Sequence, residues 1–383
     1  MAFYLTIKEM WRNRGRFLLF SLVIALIAVL VLFIAALADG LGNGNKEYIE
    51  KLNGELIVFK ANVDLSIGAS RVSRRQLADI KRVPGVLNAG QVSMTSVVLL
   101  LGDGGKLNVA MIGVEPGEPG EPPVLQGRGL EEKRGKEAII DRNTALRTGY
   151  RVGDYLTLKS IQGTKEELYT LRVAGITDGR QYSLQPTIFV PHLTFEQVKP
   201  GGVPAPNDAD LISNLIVVQL RDPSRWKEMA SELQSQVSDI RAVDRVTAYE
   251  NTPGYSAQQS TLNTQRFFTL LISVLVIGGF FQIQTLHKVP QIGMLKAIGA
   301  PNSTIALAAL AQIILVTLIG VGIGTAVTVL MAFTFPATIP IVFSPLAIVV
   351  GIISLMMIGP AGGFVSVRYA LRVEPLTALG LSS

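Results

Sequence analysis

The sequence predicts a membrane protein with four transmembrane α-helices and a large extracytoplasmic α+β domain between spans 1 and 2. Three observations predict it. Charged residues make up only 17% of the 383, where a soluble domain carries about 25%, and the mean hydropathy is +0.39. Three stretches hold no charge at all: 22 residues at 17–38, 20 at 267–286 and 71 at 297–367. Between the first two lie about 220 residues, 41–260, whose mixed polar and apolar pattern is that of a folded domain.

A helix rises about 1.5 Å per residue, so about 20 apolar residues cross a 30 Å hydrocarbon core. The first two stretches fit one span each and the third fits two. Its break is placed in "TFPATIPIVFSP", where Pro336, Pro340 and Pro345 interrupt helix, since proline lacks a donor and disfavours helix in the residue before it. The predicted spans are 17–39, 263–287, 303–333 and 345–368. The first is longer than the apolar core of a signal peptide, and "ALADGLGNG" is a poor cleavage site, so it reads as a retained span.

Residues 1–16 read as a cytoplasmic interfacial helix. Phe3, Tyr4, Ile7, Met10 and Trp11 share one face, with Lys8, Glu9, Arg12 and Arg16 on the other, and Arg14 adds to the segment's basic charge. Aromatic rings then sit at headgroup depth and basic groups meet anionic lipid; a plain topology anchor is the alternative. Basic residues also mark the link between spans 2 and 3 (Lys288, Lys296) and the tail after span 4 (Arg368, Arg372). With positive charge held inside, both termini are cytoplasmic and 41–260 lies outside.

Within 41–260, "GELIVFKAN" and "LISNLIVVQL" are strand-like. "RRQLADIKRV" and "SRWKEMASELQSQVSDI" have helical spacing, with Ser73 and Ser224 as N-caps. "EAIIDRNTALRTGYRVGDYLTLKS" reads as strand, short helix, turn, strand, and "LRVAGITD" and "PTIFVP" add two strands. "GVEPGEPGEPPVLQGRG" is an irregular loop and "GDGGKLN" a turn. The sheet is expected to be mainly antiparallel.

Little in the chain suggests chemistry. It has no cysteine and two histidines, His192, read as a loop residue, and His287, read as the inner end of span 2. The glycines of "GDGGKLN" miss the spacing of a phosphate-binding loop, so no nucleotide site is expected in this chain. Nor is a metal, a cofactor or a nucleic-acid partner. Asp39 and Arg266 stand at span ends, and Gln282, Gln284 and Gln312 within spans read as interhelical hydrogen-bonding groups, which argues against an ion-coupled transporter. Gly320 and Gly324 have G-x-x-x-G spacing, suited to close packing within one bundle or to dimerisation.

The stretch 289–301, "VPQIGMLKAIGAP", lies between spans 2 and 3. Pro290 can open a short helix and Gly299 with Pro301 can close it. Ile292, Leu295 and Ile298 recur at three, and Met294 and Ala297 widen the apolar surface. Such a helix either packs on its own bundle or inserts into a groove on a cytoplasmic partner.

"QIGMLKAIGAP" resembles the E-I-G-x-L-[KR]-A-[IL]-G-A element of the MacB/LolE/FtsX-type ABC-transporter permeases, the type VII group. "LTIKEMWRNRGRFLLF", "EAIIDRNTALRTGYRVGDYLTLKS" and "RYALRVEPLTALG" are similar to family segments in the same order. The N-terminal stretch resembles the haem-exporter branch (HrtB) and, less closely, the glycolipid-exporter branch (DevC). The resemblance implies that Gln291, Ile292, Gly293, Met294, Leu295, Lys296, Ala297, Ile298, Gly299 and Ala300 form a coupling helix that docks on an ATPase subunit. Gln291 stands where the family has an acid. It further implies two permease copies and two cytoplasmic ATPase subunits in a bacterial cytoplasmic membrane. ATP and magnesium are held by the partner, and spans 1 and 2 lengthen into a stalk, with "SAQQSTLNTQR" in the second. Contacts to membrane lipid and an extracytoplasmic adaptor belong to the same picture. The implied function is export or extraction of a hydrophobic or amphipathic substrate such as haem, lipid, lipopeptide or drug. The alternative is a non-transporting scaffold that passes ATPase motion to an extracellular protein, as in the FtsX branch.

Overall fold

The computed structural model describes residues 12, 14–102, 104–201, 211–334 and 345–372. It divides into an α+β unit, 41–259, and a helical unit made of 1–40 and 260–383. Trp11, the predicted break at 335–344 and the tail after Arg372 lie outside the described residues.

The α+β unit is built on β1 (Leu56–Lys60), β3 (Val86–Leu100), β4 (Lys106–Val114), β5 (Val124–Gly127), β6 (Glu137–Asp141), β7 (Tyr155–Gln162), β8 (Lys165–Thr177), β9 (Thr187–Pro191), β11 (Leu215–Leu220) and β12 (Ile240–Asp244), with β2 (Val72–Ser73) and β10 (Ile212–Ser213) paired apart. Among the described residues, pairing is antiparallel except between β4 and β9 and between β6 and β8. Strand β7 pairs with both β3 and β8. Six strands, β3, β4, β9, β6, β8 and β7, therefore close into a ring. Leu99, Met111, Ile140, Leu158, Val173 and Ile188 are buried in one cluster there, so the small barrel is filled by its own side chains. A second cluster seats α2 (Arg74–Arg82) and α5 (Trp226–Gln236) on β1, β3 and β11 through Leu77, Ile80, Met229 and Leu233.

Local chemistry explains the elements. Ser73 caps α2 in a capping box with Gln76, satisfying two orphan amides at once. Asp141 caps α3 (Arg142–Thr148), and Gly149 ends it at φ 77, a backbone that glycine adopts without strain. Two expectations change. Asp222, not Ser224, caps the turn before α5: its carboxylate accepts from the Ser224 amide and hydroxyl, which places Ser224 inside the 3-10 turn Pro223–Arg225. The Pro/Gly-rich loop also contains β5, because Val124, Gln126 and Gly127 find partners on β8.

Helix α1 (Arg14–Glu50) runs 37 residues, well past the predicted end of span 1. Gly40, Gly42 and Gly44 each weaken helix relative to alanine, and close packing favours glycine at two of them: a Cβ at Gly42 would lie 3.2 Å from Gln259 Nε2, and one at Gly44 would collide with Leu184. The other α+β helices are α4 (His192–Val198) and α6 (Arg245–Glu250). His192 is buried at the start of α4 with Phe195 stacked beside it, not in a loop.

The helical unit holds the membrane part of α1, then α7 (Tyr255–His287), α8 (Val289–Ala297), α9 (Asn302–Thr334) and α10 (Pro345–Arg372). Among the described residues, four segments are long and apolar enough to cross a membrane: Phe17–Gly42, Tyr255–His287, Asn302–Met331 and Ile348–Arg368. Glycines set their spacing. A Cβ at Gly320 would lie 2.6 Å from Ile24 Cβ, and one at Gly324 2.6 Å from Ala28 Cβ, so this pair faces α1 of the same chain. Gly278 and Gly362 meet backbone to backbone, with Gly362 O 3.0 Å from the Gly278 Cβ position. Without a hydrophobic force between helices in lipid, such close approach supplies the dispersion contacts that hold them.

Candidate functional site

Helix α8 has Pro290 in its first turn and ends at Ala297, with Ile298 as its C-cap and Gly299 following at φ 89. Proline loses nothing at a helix start, and glycine fits the left-handed residue after the end. Two lysines fasten the helix. Lys288 Nζ donates to Gln312 Oε1 on α9 at 2.6 Å and stands 5.8 Å above the Phe17 ring. Lys296 Nζ donates to the Leu371 carbonyl in the last turn of α10 at 2.7 Å. Such carbonyls have no intrahelical donor, so a lysine there completes them.

The apolar row of α8 divides. Ile292 is buried against Ile305, and Gly293 is buried too. Met294, Leu295 and Ile298 are exposed at 59%, 44% and 78%, and Gln291 and Ala297 are exposed beside them. Ile292 thus does not share a face with Leu295 and Ile298, as the spacing suggested. Steps of three on a 3.6-residue turn drift by about 60° each, so Ile292 and Ile298 are about 120° apart. One side of the helix is fixed to the bundle and the opposite side is bare. Arg12 and Arg14 are exposed near Phe17, and Arg372 closes α10, so the basic groups gather at the α8 end of the unit. The Arg16 side chain lies outside the described residues.

Toward the other end, a cavity of about 320 Å³ lies between α1, α7 and α10. Val31, Ala35, Leu270 and Val350 make its wall apolar, and Asp39 and Arg266 stand at its edge. These two form an ion pair, Arg266 Nη2 donating to Asp39 Oδ1 at 2.7 Å. Sequence reasoning noted each as a span-end charge without pairing them; their opposite signs at neighbouring span ends were the available signal. Within the bundle, Gln282 accepts from Ser366 at 3.3 Å and Gln312 accepts from Lys288. The first bond bridges α10 and α7, and the second joins the turn before α8 to α9.

Residues 17–236 match the MacB-like periplasmic core domain, and residues 266–375 match the FtsX-like permease C-terminal family. The chain is similar to the putative hemin transport system permease protein HrtB of Staphylococcus haemolyticus (strain JCSC1435), 26% identical over 97% of this chain and 98% of that one. It is 30% identical to the macrolide export ATP-binding/permease protein MacB of Escherichia coli (strain K12) over 133 residues, 32% of this chain and 20% of that protein. The crystal structure of the periplasmic region of MacB from Actinobacillus actinomycetemcomitans aligns with a TM-score of 0.37 at 13% identity, over 52% of this chain and 94% of that one. With one domain family covering more than half the chain and the second covering its C-terminal spans, the chain belongs to the MacB-like, FtsX-like ABC transporter permeases.

Proposed function

We propose that this permease couples ATP hydrolysis by a separate cytoplasmic ATPase to export or extraction of a hydrophobic or amphipathic substrate, by mechanical transmission. The carrying observation is the bare face of α8. Met294, Leu295 and Ile298 stand exposed on a helix whose other side is fastened through Lys288, Lys296 and Ile292. An apolar face held rigidly at the basic end of the unit suits a groove on a motor subunit, and methionine adapts to such a groove. In this reading the basic end is cytoplasmic, two permeases and two ATPases assemble, and Gln291 contributes no charge to docking. The apolar cavity beside Asp39 and Arg266 suits a lipophilic cargo. The hemin named for the staphylococcal relative is such a cargo.

The test uses Leu295→Asp and Ile298→Asp in the full chain, reconstituted with its ATPase. Both variants insert and fold, and each lowers permease-stimulated ATP hydrolysis at least tenfold. Wild-type stimulation in both variants would remove α8 from the docking role.

A further inference from the structure

The C-terminal turns of α1 lie in the α+β unit, where the loop 178–185 between β8 and β9 grips them. Gly44 O and Tyr48 N are the acceptor and donor of one helical rung. Gly44 O accepts from the Leu184 amide at 3.1 Å, and Tyr48 N donates to Gln181 O at 3.2 Å. Glu47 Oε2 accepts from the Gln181 amide at 3.1 Å. Lys51 Nζ donates to the Gly179 carbonyl and lies 3.4 Å from Asp178. Arg180, with its side chain 6% exposed, donates through Nη1 to the Lys51 carbonyl at 2.6 Å and through Nε to Asp178 at 2.7 Å. The Tyr48 ring is fully buried between Tyr182 and Phe189.

The same loop is bolted to the middle of the sheet. The buried Asp141 at the end of β6 accepts from the Arg180 amide at 3.3 Å and from the Thr187 amide of β9 at 3.2 Å. β6 lies between β8 and β9, so three adjacent strands meet one helix end through one loop. Ser183 and Leu184 hold φ of 51° and 61°, backbone strained for residues with a Cβ, at about 1 kcal/mol or more each. Strain in two consecutive residues persists where the surroundings enforce it. A helix end that needed only termination would be served by one capping residue. Here ionic, backbone and aromatic contacts all hold the position of the helix along and about its axis.

We propose that the segment Asp178–Gln185 is a force-bearing socket that delivers displacement of α1 to strands β8, β6 and β9, with Lys51 and Arg180 as its positioning residues. The inference rests on the proposed mechanical function and names where the motion enters the α+β unit.

The experiment uses the full permease with its ATPase in nanodiscs, spin-labelled at Ser231 and Val365, with interlabel distances measured without nucleotide and with Mg-ATP plus vanadate. The wild type shows a nucleotide-dependent distance change. Lys51→Met with Arg180→Met keeps the ATP hydrolysis rate and stays folded at the assay temperature, with a lowered unfolding midpoint, but loses at least four-fifths of that change, and Arg180→Met with Lys51→Arg regains part of it. Leu184→Gly, which suits the left-handed backbone while removing the side chain seated on Gly44, also reduces the change without unfolding the unit. Distance changes of wild-type size in both the double variant and Leu184→Gly would overturn the socket while leaving the mechanical function standing. A wild type that hydrolyses ATP with no distance change would overturn both.

Discussion

Asp39 and Arg266, 227 positions apart in sequence, meet at 2.7 Å across α1 and α7 beside the apolar cavity. The Asp39 side chain is 21% exposed and that of Arg266 40%, and a partly exposed pair of this kind contributes about 0.5–1 kcal/mol. Its position gives it more consequence than its energy, since parting α1 from α7 at this edge must break it. Asp39→Asn and Arg266→Gln each lower the thermal midpoint in detergent by a few degrees or less. The exchange Asp39→Arg with Arg266→Asp recovers most of that loss. A double-mutant cycle measures the pairing directly; an interaction energy of zero would show that the contact stabilises nothing.

The packing of α9 on α1 gives a sharper prediction. A side chain at Gly320 or Gly324 must displace Ile24 or Ala28, whereas the Gly322 Cβ position has nothing within 4 Å and faces outward. Overfilling a packed contact costs about 1–3 kcal/mol. Gly320→Val and Gly324→Val therefore lower the thermal midpoint of the purified protein, while Gly322→Val leaves it unchanged. Equal effects at all three positions would mean that glycine flexibility, not close packing, matters there.

The spans were legible because lipid demands about 20 uncharged residues and nothing else in a chain imitates that run. The Ser73–Gln76 cap was legible because its logic is local. The ring of six strands was not: β3, "VLNAGQVSMTSVVLL", mixes polar with apolar residues, and closure depends on β7 pairing at both edges. At the candidate site, 289–301 announced a short helix, but which residues stay bare depends on Ile305, Gln312 and Leu371, none of them adjacent in sequence. The spacing of Gly320 and Gly324 left bundle and dimer packing open, and only their neighbours on α1 decide. The loop 178–185 carried no readable signal because its partners lie on α1 and β6.

Asp178 makes the socket sensitive to acid. Burial pushes its carboxyl up, but the Arg180 hydrogen bond and the charges of Arg180 and Lys51 outweigh burial and hold it below its ordinary value of 3.8. A depressed native value means that the unfolded chain binds the proton more tightly. The contribution is fully present above the ordinary value and is lost as pH falls through the lower native one. Trp226 fluorescence in a Trp11→Phe background should show the unfolding midpoint dropping below about pH 4. Asp178→Asn flattens that drop and lowers the midpoint at pH 7. An unchanged acid limb in the variant would exclude Asp178 as a source of the acid sensitivity.

Lys296 links the candidate docking helix to the end of the last span, and this link is testable apart from any transport assay. Its ammonium group donates to the Leu371 carbonyl at 2.7 Å, where the last helical carbonyls lack donors and the helix dipole favours a cation. A charge-assisted hydrogen bond of this kind is worth about 1–2 kcal/mol when partly buried, or roughly a five- to thirtyfold change in local opening. Lys296→Met should speed amide exchange in the final turn of α10 by that factor, with the middle of the helix unchanged, and Lys296→Arg should restore most of the protection. The same Lys296→Met variant should lower ATPase stimulation severalfold, because a loosened α8 spends the motor's displacement on its own movement. Faster exchange with full stimulation would show that α8 is held for docking by Lys288 and Ile292 alone. Unchanged exchange would mean that the last turn of α10 is held by its packing against the bundle.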